Sequence, residues 1–158
     1  MLADLTVKDF LDKVAGNDPV PGGGSIAALA GALASALATM VTRLTIGKKG
    51  YEASEEVMQH AQTLTTRFQK EFIALIDKDS EAYDEVFACF KLPKATDEEK
   101  AARSAAIQEA TRHAALIPME VARKAFVQGL QAEADRIEQT ACRKEKELLD
   151  AVNQDLRV

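Results

Sequence analysis

Ser54 to Phe90 reads SEEVMQHAQTLTTRFQKEFIALIDKDSEAYDEVFACF, with neither glycine nor proline along it. Its apolar residues fall at Val57, Ala61, Leu64, Phe68, Phe72 and Ile76, then Tyr83, Val86 or Phe87, and Phe90. Steps of three and four are the period of one helix face, and nothing in the stretch breaks it. The spacing therefore predicts one very long helix. A helix of that length with a single apolar stripe needs other helices to cover it, which points to a bundle.

The flanking sequence supplies those helices. Thr6 with Asp9 three residues on reads as a helix start, Phe10, Leu11 and Val14 follow, and Gly16 stops it. Asn17 to Gly24 is a loop with two prolines and three consecutive glycines. A second helix runs from about Ser25 to Ile46 and ends at Gly47; its Ala27, Ala28, Gly31, Ala34, Ser35 and Ala38 permit close approach of another helix. Gly47-Lys48-Lys49-Gly50 is a basic turn. Beyond the long helix, Lys91 to Ala95 breaks the pattern around Pro93, and Thr96-Asp97-Glu98-Glu99 restarts it. The next stripe is Arg103, Ile107, Ala110, Ala114 and Ile117, and Pro118 marks a turn or the first turn of a further helix. The remainder to Asp155 places Leu130, Ala134, Ile137, Ala141, Leu148 and Val152 on one face. No stretch alternates like a strand. The expectation is an all-α bundle of five or six helices, one of them very long, in a single domain over 1–158.

Composition agrees. Of 158 residues, 47% are apolar and 28% charged, the profile of a soluble globular chain. Lys and Arg number 20 against 25 Asp and Glu, a net charge of −5, which excludes a general nucleic-acid binder. Cys89 and Cys142 form no disulfide framework, and with His60 and His113 standing apart there is no metal-ligand cluster. No basic region followed by an apolar run opens the chain, so a cytoplasmic setting is expected. From Pro19 to Thr42 there is no charge. Alanine outweighs leucine and isoleucine there, so the stretch reads as a helix buried on all sides of a bundle rather than a membrane span.

Three features suggest chemistry. Gly22-Gly23-Gly24-Ser25 directly precedes a helix, where bare backbone and unpaired amides favour an anion or polar acceptor. The Gly-Lys-Ser/Thr ending of a phosphate loop is missing, and a tight packing turn is the alternative. Asp79 is three residues after Ile76 and four before Tyr83, an acid on the apolar face. That placement suits either a general acid–base or a structural ion pair with Arg103, itself out of place on the following stripe. Asp77, Asp84 and Glu85 fall off this face and read as solvated. Arg43, Lys48 and Lys49, with Lys94, are either solvated charges or a holder for an anionic substrate tail.

Val20-Pro21-Gly22-Gly23-Gly24-Ser25-Ile26-Ala27-Ala28 resembles the PGGGS-x-AA segment of the cyclodeaminase/methenyltetrahydrofolate cyclohydrolase family, which includes the C-terminal domain of formiminotransferase-cyclodeaminase. Thr45 to Tyr51 is similar to its T-x-G-[KR]-[KR] turn, and Asp77 to Tyr83 to its D-x-D-x-x-A-[FY] motif. Leu92 to Thr96, Arg103, Ile107-Gln108 and Ile117-Pro118 continue the likeness, which runs in order from about Leu5 to Val121.

The resemblance implies folate one-carbon chemistry without metal or cofactor: 5-formimino-tetrahydrofolate to 5,10-methenyl-tetrahydrofolate and ammonia, or interconversion of methenyl and 10-formyl forms. It implies a helical homodimer with its site near the subunit contact, and no nucleic-acid or membrane partner. It assigns the catalytic acid to Asp79. The loop of Gly22, Gly23, Gly24 and Ser25 would hold the pterin. The cations Arg43, Lys48, Lys49, Lys94 and Arg103 would complete the substrate site, the lysines meeting the glutamate tail. The family's long stretch after the segment ending near Val121 has no counterpart, since Arg123 to Val127 runs straight into the last helix. That fits a natural short form or a chain lacking an internal segment. A non-catalytic dimerisation module of the same fold, or a helical interaction protein whose glycine loop is only a turn, is the alternative to an enzyme.

Overall fold

The computed structural model describes the backbone of residues 1–155 and side chains through Gly129. Four α-helices carry the fold: α1 (Val7–Val14), α2 (Gly23–Thr45), α3 (Glu55–Phe90) and α4 (Asp97–Asp155), with one-turn 3₁₀ segments at Leu2–Asp4 and Glu52–Ser54. Among the described residues there is no strand, as the periodicity requires. The expected five or six helices become four because Pro118 lies inside α4 instead of ending it. Proline removes one helical hydrogen bond and crowds the turn before it; α4 nonetheless continues through it for 59 residues, making it longer than the 36-residue α3. The apolar face expected from Leu130 to Val152, and Cys142, lie outside the residues whose side chains are described.

Both expected helix caps form, the second as a full capping box. Thr6 Oγ1 accepts from the Asp9 amide at 3.1 Å. Thr96 Oγ1 accepts from the Glu99 amide at 3.2 Å, while Glu99 accepts in return from the Thr96 amide at 3.2 Å.

α2 and α3 run antiparallel. The pairing is visible in Ser25 Oγ lying 3.0 Å from the Ile76 carbonyl oxygen and Thr39 Oγ1 donating to Thr65 Oγ1 at 2.8 Å. Between them, Gly31 lies flat against the Phe72 ring, close enough that a β-carbon there would collide with it. Small residues on α2 thus receive large ones on α3: Ala28, Ala32 and Ser35 are buried opposite a row that includes Phe68, Phe72, Leu75 and Ile76. Burying each of those large side chains contributes about 1.5–3 kcal/mol. α4 returns antiparallel along α3, joined by Lys124 to Glu71 at 2.6 Å and His113 to Glu85 at 3.2 Å.

One expectation is corrected here. α2 is not buried on all sides. Its small-residue face is used within the chain against α3, while Leu33 (58% exposed), Leu37 (61%), Met40, Val41 and Leu44 stay open on the other. By length and composition alone α2 could cross a membrane, and only 28% of its most apolar window is buried.

Candidate functional site

The site forms where the start of α2 meets the last third of α3. Gly22, in extended backbone, is the N-cap of α2 and has no side chain to cap it. The acceptor comes from α3 instead. Asp79 Oδ2 accepts from the Ser25 amide at 2.7 Å and from Ser25 Oγ at 2.9 Å. An N-cap aspartate normally serves an amide of this first turn from its own helix; Asp79 does it from the neighbouring one. The positive end of the α2 dipole reinforces the contact.

Gly24 makes this approach possible. A β-carbon at Gly24 would overlap the Asp79 carboxylate, whereas one at Gly23 would meet nothing. The triple glycine is open, by sequence, to either a ligand cradle or a packing turn. The geometry shows that Gly24 is needed for close approach of a carboxylate belonging to the chain itself. The amides of Gly23 and Gly24 make no hydrogen bond among the described residues.

Asp79 is half-buried, and its Oδ2 accepts from the Ser25 amide. The one Ser25 hydroxyl proton is shared between Oδ2 and the Ile76 carbonyl, both within hydrogen-bond distance. The expected alternative, an ion pair with Arg103, is not formed. The Arg103 guanidinium instead donates from Nη2 to the Phe90 carbonyl at 3.2 Å and lies 5.7 Å from the Phe90 ring centroid. Its Nε is shielded from solvent without a hydrogen-bond partner among the described residues. The reason is longitudinal offset: Phe90 is eleven residues beyond Asp79, roughly 16 Å along α3.

The other predicted cations separate into two groups. Lys94 is exposed in the loop between α3 and α4, at the same end of the bundle as Asp79 and Arg103. Arg43 occupies the last turn of α2, and Lys48 and Lys49 follow in the exposed turn, with Lys48 Nζ 5.0 Å from the Tyr51 ring centroid. Gly24 and Arg43 are at opposite ends of one helix, roughly 28 Å apart. A single chain therefore brings Gly22, Gly23, Gly24, Ser25 and Asp79 together, and leaves Arg43, Lys48 and Lys49 remote from them.

Asp77 was misread. It is 6% exposed, and its Oδ1 accepts from the Leu2 amide. The first residues of the chain fold over that side of α3, where helical periodicity alone shows an off-stripe, solvated position. No local signal marks it, because the covering segment is seventy-five residues away in sequence. Among the described residues, no group of three or more His, Cys, Asp or Glu side chains is arranged to hold a metal ion.

The profile of the formiminotransferase-cyclodeaminase family matches residues 6–134, from the cap of α1 into α4. The chain belongs to that family. It is 43% identical over 119 residues to the methenyltetrahydrofolate cyclohydrolase of Methylorubrum extorquens, covering 75% of this chain and 57% of that protein. It is 33% identical over 121 residues to the formimidoyltransferase-cyclodeaminase of Rattus norvegicus, covering 77% of this chain and 22% of the relative. The crystal structure of formiminotetrahydrofolate cyclodeaminase from Thermotoga maritima superposes with a TM-score of 0.65 at 35% identity, over 78% of this chain and 58% of that one. The family chain thus spans little more than half the length of the cyclohydrolase relative and of the solved structure. The matched region contains the whole Gly24–Ser25–Asp79 arrangement.

Proposed function

We propose that this chain acts on the one-carbon unit of tetrahydrofolate, with Asp79 as general acid–base. The observation that carries the reading is the Asp79 carboxyl held by Ser25 beside the open amides of Gly23 and Gly24. In the cyclodeaminase direction, N10 attacks the formimino carbon of 5-formimino-tetrahydrofolate. The C–N10 bond forms, and the N10 proton passes to the imino nitrogen, giving a tetrahedral amine adduct. Asp79 then delivers a proton as the C–N bond to that amine breaks, releasing ammonia and leaving 5,10-methenyl-tetrahydrofolate. The Gly23 and Gly24 amides, at the positive end of α2, would meet polar acceptors on the pterin.

The 43% likeness to a methenyltetrahydrofolate cyclohydrolase favours a second reading. There water adds to the methenyl carbon and Asp79 takes one of its protons; the remaining hydroxyl proton passes to N5 as the C–N5 bond breaks, giving 10-formyl-tetrahydrofolate. The absorbance of methenyl-tetrahydrofolate in the near ultraviolet separates the two. It rises on adding the formimino substrate to a cyclodeaminase and falls on adding the methenyl form to a cyclohydrolase. Absence of either change with the folded protein would leave the chain as a non-catalytic module.

The working form we propose is a homodimer joined through α2. Ile26, Ala30, Leu33, Leu37, Met40 and Leu44 recur at steps of four and three along its open face, the spacing by which two helices pack. A second copy presents the same stripe, and a two-fold axis pairs the two.

A further inference from the structure

Beyond Asp79, α3 extends past the start of α2 and carries Tyr83, Phe87 and Phe90 at steps of four and three. All three lie on the face that Asp79 begins. Their rings form a ladder, with centroids 5.1 Å apart between Tyr83 and Phe87 and 6.4 Å between Phe87 and Phe90. None is covered: Phe87 is 41% exposed and Phe90 50%. Three adjoining aromatic side chains left open on a helix form a surface that water solvates poorly and flat π-systems solvate well. At the far end stands Arg103, 5.7 Å from the Phe90 ring and without an acidic partner among the described residues, and Lys94 is in the adjoining loop.

The order along this face is a proton-transfer acid, then aromatic rings, then an unpaired cation. Folate presents its parts in a matching order. The reacting carbon is bound at N5 and N10, N10 carries the aminobenzoyl ring, and the glutamate carboxylates follow. Resting on the folate reading above, we propose that Tyr83 and Phe87 form the platform for the aminobenzoyl ring and that Arg103 receives a glutamate carboxylate. The tail then leaves the site toward the α3–α4 loop, away from this chain's own Lys48 and Lys49 at the opposite end of α2. Arg103 suits the role because its planar fork can take a carboxylate while Nη2 stays on the Phe90 carbonyl.

The test is equilibrium titration of the full chain with tetrahydrofolate and with tetrahydropteroate, which lacks the glutamate. Phe87→Leu should raise Kd for both ligands about three- to tenfold, the loss of one ring contact. Arg103→Gln should raise Kd for tetrahydrofolate about tenfold or more and leave tetrahydropteroate unchanged. Arg103→Lys retains the charge and should recover part of the affinity, a rescue that a purely structural arginine would not show in the ligand difference. Melting curves identify any variant that is unfolded, and Phe87 is exposed enough for its leucine variant to fold. Unchanged Kd in folded Phe87→Leu and Arg103→Gln, or a tail-dependent loss in Lys48→Gln/Lys49→Gln instead, overturns the assignment while leaving the folate reading standing. A wild-type chain that binds neither ligand removes the folate reading and this one with it.

Discussion

Gly24 on α2 and Asp79 on α3 stand so close that a single methyl group on the glycine would overlap the carboxylate. Their contact joins the start of one helix to an acid of the next, and this close approach requires glycine at position 24.

Gly24→Ala should therefore push the Asp79 carboxyl off the Ser25 amide and abolish most folate turnover. The neighbouring Gly23→Ala meets open space and removes backbone freedom in a first helical turn, so it should fold as well as the parent or better by up to about 1 kcal/mol. Turnover and thermal melting on the pair check this. Equal activity in both variants would mean that the close approach has no functional weight.

Asp79→Asn retains an oxygen that can accept from Ser25 but loses the transferable proton. Turnover should fall about 100- to 10,000-fold, the usual contribution of a general acid–base group. Because Arg103 is bonded to the Phe90 carbonyl and not to Asp79, no buried cation is orphaned, and the melting temperature should move little. Ser25→Ala removes the hydroxyl from both Asp79 and the Ile76 carbonyl, and should cost about 1–3 kcal/mol of stability as well as rate. A large stability loss in Asp79→Asn with normal rate per folded molecule would make Asp79 a helix cap only.

Leu37→Glu places a charge in the middle of the open α2 stripe. If that stripe joins two copies, light scattering at micromolar concentration should show a dimer for the parent and a monomer for the variant. Helix content by circular dichroism should be retained, since Leu37 is 61% exposed in the single chain. A monomeric parent, or one that partitions into lipid vesicles, would refute pairing through α2.

The Lys124–Glu71 pair ties α4 to α3, and its hydrogen bond raises the Lys124 pKa above the ordinary lysine value, with partial burial opposing. A raised lysine value means stability present in full below the unfolded pKa of about 10.4 and lost as pH climbs through the folded one. Denaturant unfolding of Lys124→Met should show a deficit of at most about 1 kcal/mol at pH 8 that closes in strong alkali. A deficit that persists or widens there would assign the effect to lost packing of the lysine stem.

Local pattern carried much of this. The long glycine-free run, the capping threonines Thr6 and Thr96, and the apolar steps of α3 are properties of neighbouring residues, and each appears in the fold where periodicity places it. Pro118 misled because its cost to a helix is finite, and α4 runs on through it. Asp79 was legible as an acid on an apolar stripe, since a helix face is read from spacing alone.

What surrounds that acid was not legible. Spacing names the face a residue occupies but not which distant segment covers it, nor how far two faces slide along each other. The α2–α3 register, set by Gly31 against Phe72 and Thr39 against Thr65, brings Ser25 to Asp79, leaves Arg103 to Phe90 and moves Lys48 and Lys49 to the far end. The same register covers Asp77 with the first residues of the chain and turns the small-residue face of α2 inward, leaving the leucines outside. The amino-acid sequence by itself determined the helices, their caps, the stripe and the candidate acid, because those depend on contacts within a few residues. Only the tertiary structure decided the partners of that acid and the face left open, because packing between helices depends on side-chain shapes that meet from distant parts of the sequence.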